Sequence, residues 1–195
     1  VDVAHFRKAC LAQTVIPEDI RSVKKPIIGF FGLIADWVDL ELIRFLATAK
    51  PEWSFVLIGK IVTSVKAVEN LSNVHLLGPK PYSSLPGYAK AFDVALLPFV
   101  MNELTLAANP LKLREYAAAG LPIVSSAIPE AERLRHVLRP ARDHAHFLQL
   151  IQEIIDSGRT GPQISISQQM ESESWDAKVE ELSRIVAGLE QTAAA

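Results

Sequence analysis

Five short apolar runs punctuate the first two thirds of the chain: Ile27–Phe31, Ser54–Ile58, Val74–Leu77, Val94–Leu97 and Leu121–Val124. None alternates between apolar and polar positions, so each reads as a strand buried on both faces. Helical patterns separate them. Asp39–Ala49 carries Leu40, Ile43 and Leu46 on one stripe, Leu85–Ala91 follows Pro81–Ser84, and Pro110–Ala119 is rich in Leu and Ala. Strands alternating with helices predict a parallel sheet joined by right-handed crossovers. A short sixth strand is expected at His136–Leu138. A helix is expected over Asp143–Ile155, with Phe147, Leu150, Ile151 and Ile154 at helical spacing, and a Gly158–Pro162 break follows. The last helix, within residues 174–190, runs from Trp175 to Leu189 with Val179, Leu182 and Val186 on one face, and Ala193–Ala195 are expected to fray. Residues 1–195 thus read as a single α/β domain, a doubly wound parallel sheet of five to six strands with helices on both faces. Val1–Lys25 is the least readable stretch and reads as a lead-in from something upstream; a start at Val rather than Met suggests a fragment.

Composition narrows the function classes. The 195 residues are 49% hydrophobic, and 20 Lys and Arg stand against 22 Asp and Glu for a net charge of −2. A chain of this size buries roughly 70% of its unfolded surface, so a folded domain is expected without staples. The balance of charge, with no basic stripe, argues against a nucleic-acid surface. Cys10 is the single cysteine, which excludes a disulfide framework and multi-cysteine metal sites. No apolar run reaches the ~18–20 residues of a membrane span, and a cytoplasmic protein is expected.

In an open parallel sheet ligands bind beyond the carboxyl ends of the strands. Gly32 follows the first run, Gly59-Lys60 the second, Gly78-Pro79-Lys80 the third, Pro98-Phe99 the fourth and Ser125-Ser126 the fifth. These glycines either let a ligand approach the backbone or simply make turns. The most informative stretch is Asn109-Pro110-Leu111-Lys112-Leu113-Arg114-Glu115-Tyr116. Asn109 is a favoured N-cap and Pro110 a favoured first helical residue, so a helix should open there. Lys112 then opposes the positive end of the helix dipole, a conflict that vanishes if an anion sits at the helix start. The free amides of Leu111 and Lys112, with the Lys112 ammonium, would make a phosphate site. Glu115, three residues on, could accept hydrogen bonds from the vicinal hydroxyls of a ribose. The competing reading makes Lys112 and Glu115 a surface ion pair worth a few tenths of a kcal/mol.

The run Phe92–Pro98, followed by Asn109–Val124, resembles the donor-binding half of GT-B glycosyltransferases of the group 1, family 4-like type that build bacterial polysaccharides. Val1–Phe6 is similar to the segment by which that family's chain enters its second domain, and Ser174-Trp175-Asp176 resembles the start of its last helix. The resemblance spans nearly the whole chain. It implies a Rossmann-like domain that holds a nucleoside-diphosphate sugar, of UDP or GDP type, with the acceptor and often the base supplied by an N-terminal domain. By the same resemblance Glu115 matches the acid that binds the ribose, while Lys112 and the adjacent backbone amides face the diphosphate, with Asn109, Pro110 and Leu111 among the donor-binding residues. Gly78 and Pro79 would lie near the base, with Gly32 and Gly59 along the donor. No metal and no cofactor are implied, because helix dipole and side-chain cations hold the leaving diphosphate. The family also implies transfer to a glycan or lipid-linked acceptor at the inner face of a membrane, to which the full-length enzyme could attach peripherally.

Two departures accompany the resemblance. The family's pair of acids eight positions apart would need an acid at residue 107, where this chain has Ala107; Glu103, in the loop after Pro98, is the candidate replacement and the second candidate catalytic residue beside Lys112. The basic pair common after the first strand is also missing from Gly32-Leu33-Ile34-Ala35-Asp36-Trp37, which leaves more of the phosphate charge to Lys112, helped by Lys60. Elsewhere, His144 and His146 face different sides of one helix and make no metal site, and His5, His75 and His136 are isolated. Asp39 is expected as a helix cap, and the three tryptophans as packing anchors. The rival to the transferase is a flavodoxin-like binding or regulatory module without activity. It lacks the acidic cluster that a receiver module carries at its first strand end.

Overall fold

In the computed structural model, which describes residues 1–193, the strands are β1 (Ile27–Phe31), β2 (Ser54–Ile58), β3 (Val74–Gly78), β4 (Val94–Leu97), β5 (Ile123–Ser126) and β6 (Arg139–Ala141). They form one sheet in the order β3-β2-β1-β4-β5-β6, and every neighbouring pair is parallel. This is the doubly wound order whose reversal lies between β1 and β4. Four of the strands, β1, β2, β4 and β5, are buried at every residue, as continuous apolar runs require when both faces are covered. The third run departs from that expectation. β3 is an edge strand, half-buried throughout, because only β2 flanks it.

Two expected strands are displaced. The fifth begins at Ile123 rather than Leu121, since the Leu121 amide turns back to the Tyr116 carbonyl at 3.1 Å and Pro122 has no N–H to give. The sixth is Arg139–Ala141 rather than His136–Leu138. Val137 and Leu138 both donate to the Leu134 carbonyl, at 2.9 and 3.2 Å, so these residues close the turn behind a short helix.

Of the long helices, α3 (Leu40–Ala49) and α8 (His144–Asp156) pack together on one side of the sheet. Each starts at an aspartate whose carboxylate accepts from the backbone three residues on: Asp39 from Leu42 N at 2.7 Å, Asp143 from His146 N at 2.8 Å. On the other side, α1 (Val3–Arg7), α4 (Leu85–Ala91), α6 (Leu111–Ala118) and α9 (Ile164–Gln168) pack against one another. The chain closes with α10 (Trp175–Ala193), which ends beyond the expected Leu189; Ala194 and Ala195 lie outside the described residues.

Five short helices were not expected: α1, α2 (Glu18–Arg21), α5 (Glu103–Leu106), α7 (Pro129–Arg133) and α9. At four or five residues each they are too short to show a 3.6-residue period. The lead-in segment is nonetheless part of the core. Val3, Phe6, Ala9 and Ile20 are buried, and the Phe6 ring stacks on Phe31 with centroids 5.9 Å apart. Among the tryptophans, Trp53 is buried under the Lys50 ammonium at 5.2 Å and Trp37 packs partly against the core. Trp175 departs from that expectation, being 60% exposed.

Candidate functional site

The site is built first from backbone, at the carboxyl ends of β1, β2 and β3. Gly32 N donates to Ile58 O at 2.7 Å and Gly59 N to Gly78 O at 2.9 Å, so the three glycines that end these strands lie side by side. Gly32 and Gly59 both carry positive φ, +151° and +149°. A β-carbon on Gly59 would sit 1.7 Å from the Gly32 carbonyl oxygen; only glycine permits that approach. The following loop is pinned on both sides. Ile34 bridges to Ile61 and Val38 to Phe99, while Asp39 N donates to Pro98 O at 2.7 Å. The result is a hydrogen-bonded backbone floor at the switch point between β1 and β4.

Onto this floor α6 projects Lys112. A β-carbon at Gly32 would lie 1.9 Å from Lys112 Cε and 2.9 Å from Nζ, so the lysine stem occupies the space that Gly32 leaves empty. The start of α6 differs from expectation in one respect. The capping position is Pro110, without a side-chain cap, because the Asn109 carboxamide oxygen accepts from Arg114 Nη1 at 2.9 Å instead. A helix start without a side-chain cap keeps its first amides available, and those of Leu111 and Lys112 have no partner among the described residues. Amides and dipole put positive charge at the start of α6, and Lys112 carries its own charge over Gly32.

Glu115 follows one turn deeper. The ion pair offered as the competing reading is not formed: no salt bridge or hydrogen bond joins Glu115 to Lys112 among the described residues. Burial pushes the Glu115 carboxyl above its ordinary range, and the nearby charge of Lys112 only partly opposes this. A half-buried carboxylate with unfilled acceptors is suited to hydroxyl donors. Next to it, Tyr116 is fully buried and its hydroxyl accepts from Phe31 N at 3.0 Å. That bond supplies the partner Phe31 lacks once the β1–β4 pairing ends at Gly29. Tyr116 therefore locks α6 to the end of β1, a role that residue type alone did not announce. Tyr82 also adjoins the site: it stacks on His5 at 4.4 Å, and burial followed by the charge of Glu115 raises its hydroxyl pKa.

A glycine-floored switch point with a helix start aimed at it is shared by many nucleotide-binding folds; the comparisons with known proteins decide among them. The family model for glycosyl transferases group 1 matches residues 25–157. The chain belongs to the group 1 glycosyltransferases. A glycosyltransferase of Bacillus subtilis (strain 168) named for teichuronic acid biosynthesis, TuaH, is 31% identical over 113 residues, covering 56% of this chain and 28% of the relative. Among solved structures, Anabaena Alr3699/HepE in complex with UDP and glucose aligns with a TM-score of 0.64 at 16% identity, over 96% of this chain and 55% of that one. The C-terminal domain of a group 1 family protein, LpcC of Francisella tularensis, aligns with a TM-score of 0.55 at 13% identity, over 93% of this chain and 98% of that domain. The chain spans about half of the HepE chain and about a quarter of the TuaH length. These likenesses show the GT-B half-fold, and family membership decides against the flavodoxin-like module.

In this glycosyltransferase domain the remaining predicted residues are less closely gathered. Lys60 is exposed at the end of β2 with its side chain unpaired among the described residues, and its carbonyl accepts from Ile34 N at 2.9 Å. Pro79 follows Gly78 into the turn that leads to Tyr82. Glu103 is not in a loop but in the first turn of α5, exposed, on a helix capped by Asn102 and Thr105. Among the described residues no hydrogen bond or ion pair brings it to Lys112 or Glu115. His144 Nε2 lies 3.0 Å from Asp39 Oδ2, and His146 Nδ1 accepts from Arg142 N at 3.3 Å. Among the described residues no cluster of three or more His, Cys, Asp or Glu could hold a metal ion, and no helix is long and apolar enough to cross a membrane.

Proposed function

We propose that this domain binds the nucleoside-diphosphate sugar donor of a glycosyltransferase, with the diphosphate at the start of α6 and the ribose on Glu115. The observation that carries the reading is the pair of unpartnered charges on one helix: Lys112 laid over Gly32, and Glu115 held half-buried a turn deeper. In the reaction the bond between the anomeric carbon and the diphosphate oxygen breaks as one forms from that carbon to the acceptor hydroxyl oxygen, whose proton passes to a base on the acceptor side or to the departing phosphate oxygen, and negative charge gathers on the leaving diphosphate. The Leu111 and Lys112 amides and the helix dipole are fixed in place before that charge develops, which is electrostatic catalysis by preorganised donors, and the Lys112 ammonium adds a full charge beside them. Gly32 makes room for Lys112 and Gly59 for the Gly32 carbonyl, so these two glycines build the floor on which the donor is held; Gly78 and Pro79 flank the base, and Lys60 adds charge at the rim. Glu103 is proposed to reach the transferring sugar in place of an acid at Ala107.

The presence of UDP in the HepE structure supports a uridine-type donor, and the name of the TuaH relative supports an acceptor in cell-surface polysaccharide synthesis. An N-terminal domain would supply the acceptor side, in the cytoplasm or at the inner membrane face. The test is calorimetric titration of this domain with UDP, GDP and ADP, each alone and as its sugar conjugate. Weak binding of one nucleoside diphosphate, abolished by Lys112→Ala, is the expected result. The isolated domain should transfer little sugar, since a two-domain cleft gains its near-attack geometry on closure; robust turnover would overturn the split site.

A further inference from the structure

Arg114 sits between the two residues on which the donor reading rests, yet it behaves in the opposite way. Lys112 and Glu115 have no partner among the described residues, whereas each of the three Arg114 guanidinium nitrogens has one and the side chain is only 15% exposed. Nη1 donates to Asn109 Oδ1 at 2.9 Å, Nε to Glu173 Oε2 at 2.7 Å, and Nη2 to Glu130 Oε1. These acceptors come from three separate segments: the strand-like approach to α6, the short turn ahead of α10, and the first turn of α7. Glu130 is itself buried, at 5% exposure, and its other carboxylate oxygen accepts a longer contact from Arg133 Nη1 at 3.5 Å. Glu173 passes the connection on to Lys178 in α10, 3.3 Å away.

We infer that Arg114 is a positioning residue of the donor site: it fixes the approach to α6, and hence the direction of the free Leu111 and Lys112 amides, by clamping Asn109 against α7 and the foot of α10. The inference rests on the donor reading proposed above. Its physical basis is the fork of the guanidinium. Three acceptors in three directions can be met by a planar group with five N–H donors, and a lysine in the same place would meet one or two without fixing their angles. Because Asn109 is thereby held away from the helix end, the first amides are left for a ligand and not consumed by a cap.

The test compares Arg114→Lys, Asn109→Ala and Glu173→Gln with the wild type in the whole domain. Two readouts are taken, affinity for UDP, GDP and ADP by calorimetry and hydrogen exchange of the 109–113 amides. Arg114→Lys should weaken binding of the recognised nucleotide by about tenfold and speed exchange at 109–113, with the exchange of β1 and β4 unchanged. Asn109→Ala, which leaves both ion pairs in place, should weaken binding several-fold with little change in melting temperature. Glu173→Gln should lower the melting temperature more than it lowers affinity. Folded Arg114→Lys and Asn109→Ala variants that keep wild-type affinity and wild-type exchange at 109–113 would overturn the positioning role and leave Arg114 a purely structural tie. If the wild type binds none of UDP, GDP and ADP while exchange at 109–113 still rises in Arg114→Lys, the donor reading fails and the clamp on α6 stands.

Discussion

Lys112 lies across Gly32, its Cε 1.9 Å from where a β-carbon on that glycine would be. The end of β1 and the start of α6 are therefore a single unit, in which a missing side chain on the strand makes room for a cation from the helix. Gly59 is the second layer of that unit, since its own β-carbon would meet the Gly32 carbonyl at 1.7 Å. The two glycines should respond differently to substitution. In Gly32→Ala the obstacle is the far end of a flexible chain, which can swing aside; in Gly59→Ala it is backbone. Both carry the strain of positive φ, on the order of 1–3 kcal/mol. Gly59→Ala should be the more destabilising in denaturant titrations, and Gly32→Ala should chiefly displace Lys112 and weaken nucleotide binding. Equal stability losses in the two variants would contradict the layered arrangement.

The charge conflict at the start of α6 gives a second expectation. Without an anion, Lys112 faces the positive end of a dipole, so Lys112→Ala should leave the empty domain equally stable or more stable, by about 0.3–1 kcal/mol. With saturating nucleoside diphosphate the order reverses. A ligand that binds only the folded state raises stability by RT ln(1 + [L]/Kd), and the mutant should lose most of that gain. Melting temperatures with and without ligand separate the effects. A mutant that keeps the full ligand-induced shift would transfer the phosphate site to Lys60 or to the amides alone.

Much of this arrangement was legible in the sequence, for identifiable reasons. β1, β2 and β4 fall at the expected residues because buried parallel strands are continuous apolar runs, and Asp39 and Asp143 begin helices as short acceptors ahead of apolar stripes should. The expectations that failed depend on partners that the local pattern of residues does not specify. Asn109 has every local credential of an N-cap, yet a guanidinium five residues on takes its oxygen. Lys112 and Glu115 have the spacing of an ion pair, yet Lys112 turns to Gly32, 80 residues away in the chain. The half-buried state of β3 follows from its edge position, which no local run of residues encodes.

Tyr116 is the clearest case of a residue whose role lay outside local pattern. Its hydroxyl accepts from Phe31 N at 3.0 Å in a fully buried setting. Tyr116→Phe keeps the ring and its edge contact with Phe31, whose centroid is 4.6 Å away, and leaves one buried amide without a partner. Such an orphan costs about 1–3 kcal/mol. The variant should unfold at lower denaturant concentration by that amount. Its nucleotide affinity should also fall, because α6 loses its attachment to the end of β1. A variant as stable as the wild type would show that the Phe31 amide has another acceptor.

Glu115 provides the test in which stability and function move in opposite directions. Burial raises its carboxyl pKa in the folded domain, so the folded state favours the protonated form more than the unfolded chain does. The stabilising contribution of that protonation is complete below the ordinary glutamate range of about 4.3 and is lost as pH rises through the raised folded value. Near neutral pH the ionised group is therefore a burden on the empty domain. Glu115→Gln removes that burden while preserving size, and it should melt at the same temperature or higher at about pH 7, the difference shrinking as the solution is acidified below about pH 4. Nucleotide binding should change the other way. Replacing a charged acceptor of two ribose hydroxyls by a neutral amide is expected to weaken affinity by about 1–3 kcal/mol, and a deoxyribose nucleotide should be less sensitive to the substitution than its ribose counterpart. Should Glu115→Gln melt lower at neutral pH and bind nucleotide as well as the wild type does, the carboxylate would be a structural acceptor in the free fold and the ribose would have to be held elsewhere.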